Sequence, residues 1–274
     1  MRVFLFGYLG VIILLSNHLN ALEEHDHPWS KIKHIEMVNQ AQETLVSESH
    51  KYPSLEYPVS DPIQLYAIYN SETIPIFSYG SLLNKESASR TLSDKAMTTH
   101  RPALSFGTKR VFNRHVPNTS RWGPKERPND TGMLNVIQTE DLSHVVNGVV
   151  IEVDIDDLKN LLLREEGYDL VPVVVTCWND VINDDSHKNY FVAYTFQASD
   201  DERVGVHYTN RYINPVTGYA LASKQGAEQY GESFLKLWVS STYLADKETQ
   251  FSLWEIYPEV DCTFEEGCAI STPN

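Results

Sequence analysis

One segment, Asp157–Tyr168, does most to narrow what this chain of 274 residues can form. Its apolar residues recur at helical spacing. With Leu158 at zero and a step of about 100° per residue, Leu161 falls near −60° and Leu162 near +40°, one oily stripe on an amphipathic helix. The pattern on either side is that of strands. Val145–Val153 precedes the helix. Leu170–Cys177 and Tyr190–Phe196 follow it as a β-hairpin, with a connecting loop rich in Asn, Asp and Ser. Further upstream, Ile74–Tyr79, Ala103–Phe106 and Met133–Ile137 read as strands, the last two separated by a loop full of Arg, Asn and Pro. Lys85–Leu92 reads as a short helix and Thr217–Leu244 as a long late one. Strands, one helix in the middle, more strands and a closing helix do not alternate as parallel βαβ units do. The order points to an α+β fold with a curled, mostly antiparallel sheet.

The region from 73 to 245 is read as one domain. With 42% hydrophobic residues it can bury a sizeable core. A net charge of −15 argues against nucleic acid and against an anionic membrane surface, since phosphate binding needs a basic face. Residues 1–21 have the form of an export signal: Arg2, an apolar run from Val3 to Leu15, and a small residue at Ala21. The run is too short to span a bilayer comfortably, so no stable membrane insertion is expected after cleavage. Residues 22–72 form a polar N-terminal extension with a helix around Ile32–Leu45, and 246–274 form a C-terminal tail. In an exported chain, Cys262 and Cys268 are candidates for a disulfide, while Cys177 reads as a buried free thiol in a Val-rich strand. Asn118-Thr119-Ser120 and Asn129-Asp130-Thr131 have the form of glycosylation acceptors, a triplet common by chance. No cysteine–histidine spacing fits zinc and no acidic loop fits calcium, so no metal is expected.

The helix carries an anomaly. Glu165 lies at about −20°, inside the stripe, whereas Glu166 lies at about +80°, on its rim. A helix that buries Leu158, Leu161 and Leu162 aims Glu165 inward. A buried carboxylate is costly unless paired or protonated, and its pKa rises, as a general base working near neutral pH requires. The plainer alternative is a carboxylate that bends out to water. A second segment, Tyr79-Gly80-Ser81-Leu82, follows the first clear strand. Glycine there permits a tight turn, and successive N–H groups before a helix can hold an anion. A plain strand-to-helix turn, with Ser81 as the helix cap, fits the same residues.

Together the two segments resemble the γ-glutamylcyclotransferase-like proteins. These carry a Tyr-Gly-Ser loop after the first strand and, well down the chain, a Glu shortly before a Gly and a Tyr. Here these are Tyr79-Gly80-Ser81-Leu82 and Arg164-Glu165-Glu166-Gly167-Tyr168, with Tyr219, Gly226-Ala227, Gly231 and Phe234 as a third matching stretch. The resemblance covers about residues 74–245. It implies a small, mostly antiparallel β-barrel with flanking helices. It also implies release of 5-oxoproline from a small γ-glutamyl peptide or amine by intramolecular aminolysis, with no cofactor. Glu165 would be the general acid/base. The N–H groups of Gly80, Ser81 and Leu82 would hold the substrate α-carboxylate, and Tyr79 and Tyr168 would line the pocket. Arg110, in the basic stretch Thr108–Asn113, is a further candidate for attracting an anionic substrate. Leu83-Asn84-Lys85 stands where glutathione-degrading members carry a Trp, so glutathione is not implied as the substrate. Two rival readings remain open at this level. One is a non-catalytic exported binding domain on the same fold. The other is a hydrolase with Ser81 as nucleophile, although no Gly-x-Ser-x-Gly elbow is present.

Overall fold

The structure, a computed structural model, describes residues 31–51, 59, 61–116, 118–123, 127–182, 189–198, 208–252, 260–263 and 267–270. The segment 1–21, on which the expectation of export rests, lies outside them. Among the described residues no helix is long and apolar enough to cross a membrane.

The chain opens with α1 (Lys31–Lys51) and α2 (Gln64–Tyr69), then runs into β1 (Ile74–Ser78). α1 buries Met37 and Ala41 and packs against the later strands β6 (Asp169–Cys177) and β7 (Tyr190–Gln197), so the extension lies on the main domain. A 3-10 turn at Ser81–Leu83 leads into α3 (Lys85–Ser89), shorter than the helix expected over Lys85–Leu92, and then, after a break, α4 (Asp94–Thr98), where the sequence reading placed no helix. The interruption has a local cause. Asn84 caps α3 by accepting from the Ser87 N–H, and Ser93 caps α4 by accepting from the Ala96 N–H, so each cap starts its own helix.

The strands β2 (Arg101–Phe106), β3 (Thr108–His115), β4 (Asp130–Gln138) and β5 (Val145–Val153) follow, then α5 (Ile155–Arg164), β6, α6 (Trp178–Ile182) and β7. Five of them close a barrel in the order β1-β5-β2-β6-β7. Every neighbouring pair is antiparallel except β7 and β1, which meet in parallel at Ile76 and Tyr194 and complete the closure. Runs such as Val149-Val150-Ile151 and Val173-Val174-Val175 are buried at every position. Both faces of these strands are covered, which is why they read as continuous apolar runs rather than alternating ones. The expected α+β barrel, mostly antiparallel with flanking helices, is therefore the observed fold.

A second, four-stranded sheet stands beside the barrel in the order β8-β4-β3-β9, with β8 at Asn214–Pro215 and β9 at Thr242–Tyr243. Its strand β3 occupies what reads in sequence as a polar loop. The strand buries Arg110 and Asn113 completely or nearly so, which defeats any reading based on apolar periodicity. The late helix also differs from its expectation. It is two helices, α7 (Thr217–Glu228) and α8 (Glu232–Ser240), broken at Gly231, whose φ of +94° suits glycine and no helix interior. Beyond them, β10 (Val260–Thr263) and β11 (Gly267–Ile270) pair antiparallel with Cys262 opposite Cys268. The side chains of those two cysteines, and so the expected bridge, lie outside the described residues. Cys177 is free, as read, but only half-buried, with burial pushing its thiol pKa up.

Candidate active site

Three elements converge on one cleft. β1 delivers Phe77 and Ser78 and runs on into Tyr79-Gly80-Ser81-Leu82. The end of α5 delivers Glu165 and, beyond it, Tyr168. The first turn of α7 delivers Tyr219. Leu134 from β4 and Phe196 from β7 complete the wall. The empty space, open mouth included, is about 340 Å3.

Glu165 is not inside the helix, as the reading of Asp157–Tyr168 as one helix implied. α5 ends at Arg164, and Glu165 is the capping residue, with φ −98° and ψ 36°. Its N–H still donates to the Leu161 carbonyl at 2.8 Å, which keeps the residue in helical phase with Leu158 and Leu161, both fully buried. That phase aims the side chain inward. Gly167, at φ +81°, turns the chain away two residues later. The Glu165 side chain keeps 20% of its surface exposed, through the mouth of the cleft. Burial pushes its carboxyl pKa above the ordinary value, against the pull of the guanidinium groups of Arg164, Arg121 and Arg114. The nearest of these is Arg164, with Nε 3.4 Å from a Glu165 oxygen.

Arg164 was quoted in the sequence motif but given no role there. Its guanidinium donates to the Ser81 Oγ at 3.0 Å, to the Ser87 carbonyl and Oγ, and to the Thr91 Oγ1. It therefore ties the acid to the Tyr-Gly-Ser loop. Ser81 does not cap a helix. Its Oγ accepts from an arginine, which cannot remove its proton, so the arrangement does not make it a nucleophile. The nearby His100 is turned elsewhere, with ring nitrogens 2.9 Å from the Leu82 carbonyl and 2.9 Å from the Tyr230 hydroxyl.

Three tyrosines face the cleft, and their hydroxyls differ. Tyr79 donates to the Phe196 carbonyl at 2.6 Å and Tyr168 to the Leu134 carbonyl at 3.0 Å. Both hydroxyls are spent on main chain, so these residues offer their rings. Tyr219, a residue the sequence reading did not place in the site, presses its hydroxyl against the loop. A Cβ on Gly80 would lie 2.6 Å from that oxygen, so only glycine admits it. The Ser223 hydroxyl and the Ser81 N–H face the same oxygen. Burial, reinforced by Glu165, pushes the Tyr219 pKa up to about 12, and burial also raises those of Tyr79 and Tyr168. All three therefore stay protonated.

Arg110 is not brought to the cleft. It is fully buried behind it and donates to Thr242 Oγ1, to the carbonyls of Tyr79, Asn147 and Trp238, and to the side chains of Asn147 and Ser241. Its planar head stacks on Trp238 at 4.9 Å. With its donors taken, it cannot reach a substrate, and it acts instead by fixing the Tyr79 carbonyl from behind. No cluster able to hold a metal ion occurs among the described residues.

No family model and no curated relative matches the chain. The solved structures it is similar to include γ-glutamyl cyclotransferase-like proteins. One is a gamma-glutamyl cyclotransferase, 18% identical, with a TM-score of 0.40 over 58% of this chain and 81% of that one. Another is a gamma-glutamyl cyclotransferase specific to glutathione from yeast, 15% identical, with a TM-score of 0.42 over 62% and 96%. A third is an uncharacterized protein from Homo sapiens, 19% identical, with a TM-score of 0.41 over 59% and 82%.

Proposed function

We propose that this chain is a γ-glutamylcyclotransferase-type enzyme that releases 5-oxoproline from a small γ-glutamyl peptide or amine. The observation that carries the reading is the placement of one carboxyl of raised pKa, Glu165, in the same cleft as the Gly80–Leu82 backbone. The substrate contains both reacting groups, so the protein has to hold the folded conformer and move one proton. The α-carboxylate binds at the Gly80–Leu82 turn and the Tyr219 hydroxyl. Glu165, ionised, takes a proton from the α-ammonium. The freed amine attacks the γ-carbonyl and the five-membered ring closes to a tetrahedral intermediate. As the original amide C–N bond breaks, the proton held by Glu165 passes to the leaving nitrogen, and the second proton that the ring nitrogen sheds on becoming the lactam N–H follows it through Glu165, so the leaving part departs as an ammonium. No external reactant is consumed, and Glu165 returns to its starting state.

The tight contact between Arg164 and Glu165 also fits the rival in which the fold survives as a binding domain and the acid is only half of an ion pair. Incubation with γ-glutamyl-alanine, followed by mass analysis of the products, separates the readings. The expected products are 5-oxoproline and alanine in equal amounts. Free glutamate in place of 5-oxoproline contradicts the ring closure, and no turnover of any γ-glutamyl compound favours the binding domain.

A further inference from the structure

Three guanidinium groups bear on the Glu165 carboxyl, and their commitments differ. Arg164 is fully engaged by the loop and by α3. Arg114 lies between the rings of Tyr168 and Tyr208 and donates to the carbonyls of His115, Tyr208 and Glu166. Arg121 alone has no hydrogen bond or ion pair among the described residues. It is exposed and rests on the Trp122 ring at 5.0 Å.

The position of Arg121 is fixed by what lies under it. Trp122 stands edge-on to Tyr219 at 5.1 Å, and Tyr219 lines the cleft. The Trp122 carbonyl comes so close to Gly218 that any side chain there would collide with it, which seats the 3-10 turn Ser120–Trp122 on the first turn of α7. Arg121 therefore stands next to the ring that backs Tyr219, beyond the residues that line the cleft and near enough to Glu165 for its charge to be felt there. In the proposed reaction the leaving nitrogen sits at Glu165. Whatever is attached to that nitrogen must pass out by the mouth through which Glu165 meets solvent.

We propose that Arg121 is a specificity-determining residue that receives a carboxylate on the leaving part of the substrate, so that γ-glutamyl amino acids and peptides are preferred over uncharged γ-glutamyl amines. The inference rests on the γ-glutamylcyclotransferase reading and deepens it. An uncommitted guanidinium, resting over an indole, presents a fork of donors whose geometry matches a carboxylate. In a chain of net charge −15 such a group is not background: it gives the mouth of one cleft a positive spot that anionic ligands can find.

The test uses a matched pair, γ-glutamyl-alanine and γ-glutamyl-alanine amide, which share the reacting end and differ only in the distal charge. The wild-type ratio of kcat/KM, acid over amide, is expected to be about tenfold, carried by KM, as one charge-assisted hydrogen-bonded pair at a partly exposed site provides. Arg121→Gln brings the ratio to about one, Arg121→Lys keeps part of it, and Arg121→Glu inverts it. A loss of packing alone would slow both substrates together and leave the ratio unmoved. A wild-type ratio of one, or a ratio unchanged in Arg121→Gln, with 5-oxoproline released from both compounds, overturns the role of Arg121 and leaves the reaction standing. No 5-oxoproline from either compound overturns both.

Discussion

The Glu165 carboxyl sits between opposing influences: burial disfavours its charge, and three guanidinium groups favour it. Burial wins, and the pKa is raised above the ordinary 4.5. This has a consequence for stability that is independent of catalysis. Between 4.5 and the raised value, the folded chain retains a proton that the unfolded chain has already released. Stability therefore falls as pH rises through that window and is unaffected by this group at lower pH. Glu165→Gln removes that slope. The prediction is checked by denaturant unfolding of both proteins across the acid range: the difference in stability is expected to shift in favour of the glutamine variant as pH rises. The opposite trend would mean that the arginines outweigh burial, and the carboxyl would then be an ordinary ion-pair partner.

At the scale of elements, the important connection is between the end of α5 and the 3-10 turn after β1. Arg164 makes it, holding Ser81 with one part of its guanidinium and Glu165 with another. Arg164→Met should leave the helix formed, since Asp154 still caps α5 by accepting from the N–H groups of Asp156 and Asp157. It should also remove the largest of the charges that lower the Glu165 pKa. The acid limb of the pH–rate profile of 5-oxoproline release is then expected to move to higher pH, with a lower maximal rate because the loop loses its tie. A limb that stays in place would show that Arg164 does not act on the titrating group. The same connection marks how far the sequence could be read. The stripe Leu158, Leu161, Leu162 located the helix and pointed Glu165 inward, because helical phase survives to the capping residue. The stripe alone could not reveal that the helix stops at Arg164, since apolar spacing carries no mark of a terminus; the positive-φ Gly167 lies just beyond it. Tyr219 escaped because nothing local distinguishes a core tyrosine from one whose hydroxyl rests on a glycine far away in sequence. Arg110 was misread for the same reason, and with it β3: a buried guanidinium satisfied by carbonyls looks, in sequence, like a surface charge.

At the scale of the whole molecule, the barrel and the flanking sheet divide the work. The barrel, built largely from continuous apolar strands, is legible in composition, though it also buries Ser105, Asn147, Thr176 and Thr195. The sheet carries polar residues inward, among them Arg110, Asn113 and Asn135. It joins the barrel through the Arg110 contacts with Asn147 on β5 and the Tyr79 carbonyl. The site lies where the two meet, so its rigidity belongs to the assembly and not to any one loop. The proposed reaction asks for little more than a glycine-bearing turn and one shielded acid, because its two partners arrive already joined. The most direct measurement of that claim is the rate of 5-oxoproline release from a γ-glutamyl dipeptide by wild-type protein and by Glu165→Gln at saturating substrate. The account predicts a fall on the order of 10²- to 10⁴-fold in kcat, the usual contribution of a positioned acid–base group, with the fold intact by circular dichroism. A glutamine variant that folds and releases 5-oxoproline at the wild-type rate would contradict it.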